Sequence, residues 1–309
     1  MADIDFDITF EEDEEVTIIK PSPTTKKSNK ASITRSENKD LRVGITKNND
    51  GNRCVDIHEF DLNKMHPIGP DDVKWGTKTF IIGKPGTGKS KIIEAIMVAK
   101  AWFIPCVQAF SESERENHFY KEHMDDIFVF NKYDPEVVKK SMERQSLAKK
   151  NLKNPWLMNI FDDAIIDPTI LKKPPMPALF KLARHWNEMN VFANQRAMDL
   201  PPVVRVCLDY IFLLANSATN DRKVIYENFI GGLIPTFKDF EDLFDALTAD
   251  HCAMVIDNTS TSSILSDRIF YFKADLDRVP KDFKMGSKDA HDFNDERIRK
   301  DLLDDDFKE

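Results

Sequence analysis

One octapeptide carries the clearest chemical signal in the chain. Gly83-Lys84-Pro85-Gly86-Thr87-Gly88-Lys89-Ser90 fits G-x-x-x-x-G-K-[ST], a spacing suited to phosphate. Its glycines permit a tight turn in which successive backbone N–H groups point inward at phosphate oxygens. The helix that follows would add its positive N-terminal end. Lys89 would reach the β- and γ-phosphates, and the Ser90 hydroxyl would hold Mg²⁺. Such a loop needs a second metal contact and a group for the attacking water. Trp156-Leu157-Met158-Asn159-Ile160-Phe161 ends in Asp162-Asp163. An apolar strand that delivers carboxylates at its C-terminal end sets them beside such a loop. Asp162 suits the Mg²⁺ shell, and Asp163 the position that orients or deprotonates water. Asn190-Val191-Phe192-Ala193 then leads into Asn194-Gln195-Arg196, where Gln195 is placed to touch a γ-phosphate or the lytic water.

These residues need elements to hold them. Thr77–Ile82 is β-branched and aromatic and reads as a buried strand, and Lys91–Lys100 reads as a helix with Ile92, Ile93, Ile96 and Met97 near one face. Further strands are predicted over 102–110, 156–161, 191–193, 210–215, 252–257 and 269–272, with a short apolar run at 127–130. Helices are predicted over 135–150, 177–189, 219–229 and 237–248. This β/α alternation implies an α/β fold with a mostly parallel central sheet covered on both faces. Asn131-Lys132-Tyr133-Asp134 matches the guanine-reading N-K-x-D pattern. It precedes the acidic pair instead of following it, and is read here as a strand end.

Bulk properties set the outer bounds. The 309 residues suffice for one large domain with extensions, and no stretch of 18 apolar residues exists. The acidic start Met1-Ala2-Asp3-Ile4-Asp5 lacks the basic and apolar parts of a secretory leader. Cys54, Cys106, Cys207 and Cys252 form no C-x-x-C pair, which fits a reducing compartment. The net charge of -9 is uneven: residues 1–20 hold eight acids against Lys20, residues 21–50 hold seven bases and three acids, and residues 289–309 hold nine acids and four bases. The acids concentrate in the ends, so the core stays eligible for nucleic acid. The expected division is a disordered charged arm over 1–50, a nucleotide-binding domain over 51–280 and an acidic C-terminal tail over 281–309.

With these residues in place, the chain resembles the poxvirus-type virion DNA-packaging ATPases of large eukaryotic DNA viruses, a branch of the FtsK–HerA superfamily. The resemblance runs from about Phe80 to Ala274 and rests on four blocks. These are the loop Gly83–Ser90 and the Asp162-Asp163 strand, then Ala183-Arg184-His185-Trp186-Asn187 through Gln195 to Leu200–Arg205 and Asp209–Phe212, and finally Met254–Thr259 leading to Phe270–Ala274. It implies a three-layer P-loop NTPase of the FtsK–HerA/ASCE type that binds ATP and Mg²⁺. It also implies a homo-oligomeric ring, pentamer or hexamer, that acts on double-stranded DNA and meets capsid or vertex proteins in a viral factory of the host cytoplasm or in the virion. The second carboxylate is Asp163 where the superfamily often has Glu. Coupling between ring sites calls for an arginine acting in trans; Arg205 is the first choice, then Arg196 and Arg184. Lys139-Lys140, Lys149-Lys150-Lys153 and Lys172-Lys173 either face solvent or line a DNA pore. Two other functions fit the same residues: a cellular-type DNA segregation or conjugation pump, and a scaffold that uses ATP only for assembly.

Overall fold

The computed structural model describes residues 6–10, 17–18, 46–47, 53–65, 76–165, 167–196 and 200–306. The chain divides into two compact units, one of Asp61–Tyr210 with Ala274–Glu309, the other of Met1–Phe60 with Ile211–Lys273. The first strands are β1 (Phe6–Phe10), β2 (Thr17–Ile18), β3 (Thr46–Lys47) and β4 (Arg53–Ile57), which form a small antiparallel sheet in the order β2-β1-β4-β3. Three of these strands fall within the stretch expected to be a disordered arm. Phe6-Asp7-Ile8-Thr9-Phe10 alternates apolar and polar residues, the two-residue period of a strand. Most of that arm, and the expected boundary near Gly51, lie outside the described residues.

An eight-stranded, mostly parallel sheet is the centre of the α/β fold. Five of its strands belong to the larger unit: β5 (Lys78–Ile82), β6 (Cys106–Ser111), β7 (Val129–Phe130), β8 (Leu157–Asp162) and β9 (Glu188–Asn194), in the spatial order β5-β9-β8-β6-β7 with every neighbour parallel. All residues of β8 and β9 are buried, which explains why apolar residues occur on both faces of each strand.

Two ladders run across these strands. In register stand Phe130, Phe110, Phe161, Phe192 and Phe80, and neighbouring rings stack at 4.9–6.1 Å between centroids. Two residues earlier on the same face is a polar rung. Gln108 donates to Asn159 at 2.7 Å, Asn159 donates to Asn190 at 2.7 Å, and Asn190 donates to the Leu179 carbonyl at 3.0 Å. A one-residue slip would break both ladders at once, so they pin the register.

The helices of this unit are α1 (Lys89–Lys100), α2 (Glu114–Asn117), α3 (Phe119–His123), α4 (Pro135–Asn151), α5 (Met176–Trp186), α6 (Pro202–Arg205) and, in the C-terminal segment, α9 (Lys288–Asp306). Helices α4 and α5 cover the ladder face: Ser141 donates to Gln108 at 2.9 Å, and Phe180 stacks on Phe192 at 4.4 Å. Helix α3 lies on the opposite face, where Tyr120 meets Asp162, and is joined to α1 by His123 and Glu94 at 2.9 Å. The arrangement has three layers.

Element ends have local causes. Helix α4 starts at Pro135, with Asp134 accepting the Glu136 N–H at 2.8 Å. That capping duty accounts for the acidic member of the N-K-x-D match. Helix α5 stops at Asn187, whose φ of 55° is left-handed, so β9 begins where the sequence pattern predicted helix up to 189. The strand predicted from Trp102 starts only at Cys106. Before it, the N–H groups of Phe103 and Ile104 still bond back to the Lys100 carbonyl, and Trp102 is exposed. The stretch read as an acidic tail is attached to this unit: Met285 donates its N–H to the His123 carbonyl, Ser287 to that of Pro105, and His291 meets Asp125 at 2.6 Å.

The smaller unit holds β10 (Tyr210–Leu213, whose first residue belongs to the larger unit), β11 (Ala253–Asp257) and the antiparallel β12 (Ile269–Phe272). Its helices are α7 (Thr219–Ile225), continued by a π-helical turn over Tyr226–Ile230, and α8 (Phe237–Leu247). Arg222 on α7 is bidentate to Asp245 on α8.

Candidate functional site

The loop between β5 and α1 adopts the backbone its glycines allow. Gly86 has φ 77° and Gly88 has φ 112°, values an L side chain strains to reach. Gly88 is the N-cap of α1, so Lys89 and Ser90 open that helix. Lys89 is buried, and its Nζ donates back across the loop to the Gly83 carbonyl at 3.0 Å. Lys84 and Pro85 are exposed at the tip, and Thr87 Oγ1 donates to the Lys84 carbonyl at 2.7 Å.

Strand β9 lies between β5 and β8 and is bonded to both halves of the site. Its Asn194 carbonyl accepts the Gly83 N–H at 3.1 Å, and its Ala193 carbonyl accepts the Asp163 N–H at 2.9 Å. The P-loop lysine thereby meets the acidic pair: Lys89 Nζ lies 3.3 Å from Asp163 Oδ2. Gln195, exposed just after β9, places Nε2 3.5 Å from the same oxygen. Four residues selected from the sequence (Gly83, Lys89, Asp163 and Gln195) are thus linked directly.

Asp162 and Asp163 diverge, but not through strand alternation. Asp162 is the last residue of β8, whereas Asp163 has left the strand with φ 46°. Asp and Asn tolerate that conformation better than most residues. Asp162 is buried and its Oδ2 accepts the Tyr120 hydroxyl at 2.9 Å. Burial pushes its carboxyl up, the Tyr120 hydrogen bond draws it down and neighbouring Asp163 pushes it up again, which together bring it to about 6. The Tyr120 hydroxyl is itself pushed well above its ordinary range by burial and by the Asp162 charge.

Tyr120 and Glu114 had no motif to reveal them. Glu114 is fully buried and accepts the N–H groups of Tyr120 and Lys121 at 2.9 and 3.0 Å. The Glu-x-x-x-x-x-Tyr spacing belongs to no periodic pattern, so only the folded chain joins these residues to Asp162.

The arginines separate. Arg184 on α5 and Arg196 after β9 are exposed. Arg205 is half-buried at the end of α6, with Nε donating to the Leu200 carbonyl at 2.9 Å. Asp209, just after α6, accepts the Lys78 N–H at 2.8 Å and pairs with the Lys78 ammonium at 2.9 Å. Of the lysine clusters, Lys139 pairs with Glu136 and Lys149 donates to the His185 carbonyl, while Lys140 and Lys150 are exposed on α4.

The donor set fits a nucleotide with its metal. Two glycines of the loop have left-handed backbone, and the buried Lys89 ammonium bonds back to the loop carbonyl of Gly83. Among the described residues no group of three or more His, Cys, Asp or Glu side chains is arranged to hold a metal ion by itself. Mg²⁺ ordinarily takes one or two protein oxygens and completes its shell with phosphate and water, which is what Ser90 and Asp162 would provide.

A strand–loop–helix with this loop, on a parallel sheet with one strand set between the loop strand and the acidic strand, defines a P-loop NTPase fold. No protein-family model matches the chain. It is 37% identical over 236 residues to uncharacterized protein 088R of Invertebrate iridescent virus 3, covering 75% of this chain and 90% of that protein. It is 30% identical over 249 residues to uncharacterized protein L437 of Acanthamoeba polyphaga mimivirus, covering 77% and 83% respectively. The chain belongs to the family of these proteins of large DNA viruses. Among solved structures it is similar to the genome packaging NTPase B204 of Sulfolobus turreted icosahedral virus 2 in complex with AMPPCP. That similarity has 17% identity and a TM-score of 0.47 over 67% of this chain and 100% of that one.

Proposed function

We propose that the chain is an ATPase that drives double-stranded viral DNA into a capsid. The observation that carries the nucleotide site is the Lys89 ammonium, held by the loop carbonyl of Gly83 and set 3.3 Å from Asp163. The family's distribution among large DNA viruses and the four sequence blocks support packaging as the use of that site.

In this reading the backbone of Gly83–Ser90 and the Lys89 ammonium bind and orient the phosphates. Ser90 and Asp162 would hold Mg²⁺, which would supply positive charge to offset the charge that develops during phosphoryl transfer. Asp163 takes a proton from the attacking water, and Gln195, beside it, orients that water. Binding of nucleotide replaces the Lys89–Asp163 pair with a lysine–phosphate contact, so the same event that engages Lys89 frees the Asp163 carboxylate for the water. Arg205 serves a neighbouring subunit's phosphate in a ring, where its planar fork suits the geometry.

The test is ATP turnover with and without double-stranded DNA, on the parent and on Lys89→Ala. DNA-stimulated turnover in the parent, and its loss in a folded Lys89→Ala protein, is the expected result. Nucleotide binding with no turnover under any DNA condition would favour a scaffold. Turnover without capsid-vertex co-purification would favour a segregation or conjugation pump.

A further inference from the structure

A carboxylate at a strand end turns easily about its last bond, because that torsion is broad. Mg²⁺ is intolerant of such freedom, since it demands near-octahedral oxygen geometry. Asp162 is not left loose. Its Oδ2 accepts the hydroxyl of Tyr120 at 2.9 Å, and Tyr120 is 1% exposed. Rotating the carboxylate means breaking a buried hydrogen bond that has no water to replace it.

Tyr120 is itself held from two sides. The Glu114 carboxylate takes the second and third backbone N–H groups of α3, those of Tyr120 and Lys121, groups the helix cannot satisfy internally. At the other end of α3, His123 Nε2 lies 2.9 Å from Glu94 Oε1 on α1, and His123 Nδ1 lies 2.7 Å from the Phe119 carbonyl. Lys91 of α1 closes on the second Glu94 oxygen at 2.8 Å. The α3 backbone, hydrogen-bonded at one end to α1 through His123 and Glu94 and carrying Tyr120 at the other, therefore connects α1, whose first turn bears Lys89 and Ser90, to Asp162.

We infer that Tyr120 is a positioning residue that fixes the Asp162 carboxylate relative to the Ser90 end of α1, and that the α2–α3 corner exists to hold it there. The inference rests on the proposed role of Asp162 and Ser90 as the Mg²⁺ ligands. Its consequence is specific to the metal: the Tyr120 hydroxyl is spent on Asp162 and not on the loop that would grip the phosphates, so it governs metal affinity and selectivity and leaves metal-free nucleotide binding alone. Partners that orient a metal ligand typically account for ten- to a hundredfold in metal affinity.

The experiment titrates full-length parent, Tyr120→Phe and Glu114→Gln with a fluorescent non-hydrolysable ATP analogue, first in EDTA and then at rising Mg²⁺, and repeats the series with Ca²⁺. Tyr120→Phe keeps the ring and removes only the hydroxyl. Its half-saturating Mg²⁺ concentration should rise about tenfold, its preference for Mg²⁺ over Ca²⁺ should narrow, and its affinity in EDTA should stay within about twofold. Glu114→Gln should shift in the same direction and by less, and it keeps the inference testable if Tyr120→Phe fails to fold. A general loosening would instead lower the EDTA affinity and the Mg²⁺ affinity together, and that overturns the inference. Mg²⁺ half-saturation unchanged in both variants, with a parent that binds the analogue in a Mg²⁺-dependent way, overturns it and leaves the site reading standing. A parent with no Mg²⁺-dependent binding overturns both.

Discussion

Asp163 shows how much a single residue's backbone decides. Its positive φ takes its carboxylate out of the strand and onto Lys89, while Asp162, one bond earlier, stays buried on Tyr120. Two adjacent and chemically identical side chains thus meet opposite environments. Asp163→Asn retains a residue that accepts left-handed geometry and removes the base. It should bind Mg·ATP and turn over at least a hundredfold more slowly, since general base catalysis is worth about 10²–10⁴. Asp162→Ala should lose Mg²⁺-dependent binding instead, and equilibrium binding beside single-turnover kinetics separates the two. Elsewhere Glu188, the first residue of β9, is fully buried with neither carboxylate oxygen hydrogen-bonded, and burial pushes its carboxyl up to about 8. The folded protein therefore holds a proton there that the unfolded chain releases near 4.5. Stability is fully present below that lower value and is lost as pH rises toward 8, by on the order of 1 kcal/mol per pH unit. Melts at pH 5, 6, 7 and 8 should show this decline, and Glu188→Gln should flatten it.

Among the elements, β9 has the largest consequence, because it is bonded to the loop on one edge and to the acidic pair on the other. Its place between β5 and β8 brings Gln195 to Asp163. The phenylalanine and amide ladders lock that placement, since every residue of β9 faces a packed layer. Helix α4 shows an element whose start carries a false motif. Asp134 belongs to a match with the guanine-reading pattern, yet its side chain is engaged in capping. Asp134→Ala should lower stability by about 1 kcal/mol in chemical denaturation and leave the preference between ATP and GTP unchanged. A changed nucleotide preference would return that motif to the site.

For the whole molecule the proposed function calls for cooperation between copies. Arg205 is half-buried, and its Nε is engaged by the Leu200 carbonyl at the end of α6, which orients the guanidinium instead of leaving it to wander. If it reaches a neighbour's phosphate in a ring, Arg205→Ala and Asp163→Asn subunits, each inactive alone, should recover turnover when mixed, because some interfaces then combine an intact base with an intact arginine. Recovery in an Arg196→Ala mixture, and none at any ratio with Arg205→Ala, assigns the role to Arg196.

The sequence by itself determined the loop, its flanking strand and helix, the acidic pair, Gln195 and the parallel α/β class. Each of these depends on neighbours a few residues away: glycine freedom at 86 and 88, apolar runs bounded by polar turns, a carboxylate at a strand's end. Only the tertiary structure decided that β9 lies between the two halves of the site, that Asp163 turns to Lys89, and that Tyr120 holds Asp162. Tyr120 and Asp162 are 42 residues apart in the chain, and Lys89 and Asp163 are further apart still. Contacts of that span depend on which strand pairs with which. That choice is made by packing across the whole sheet, which leaves no periodic mark on the local sequence.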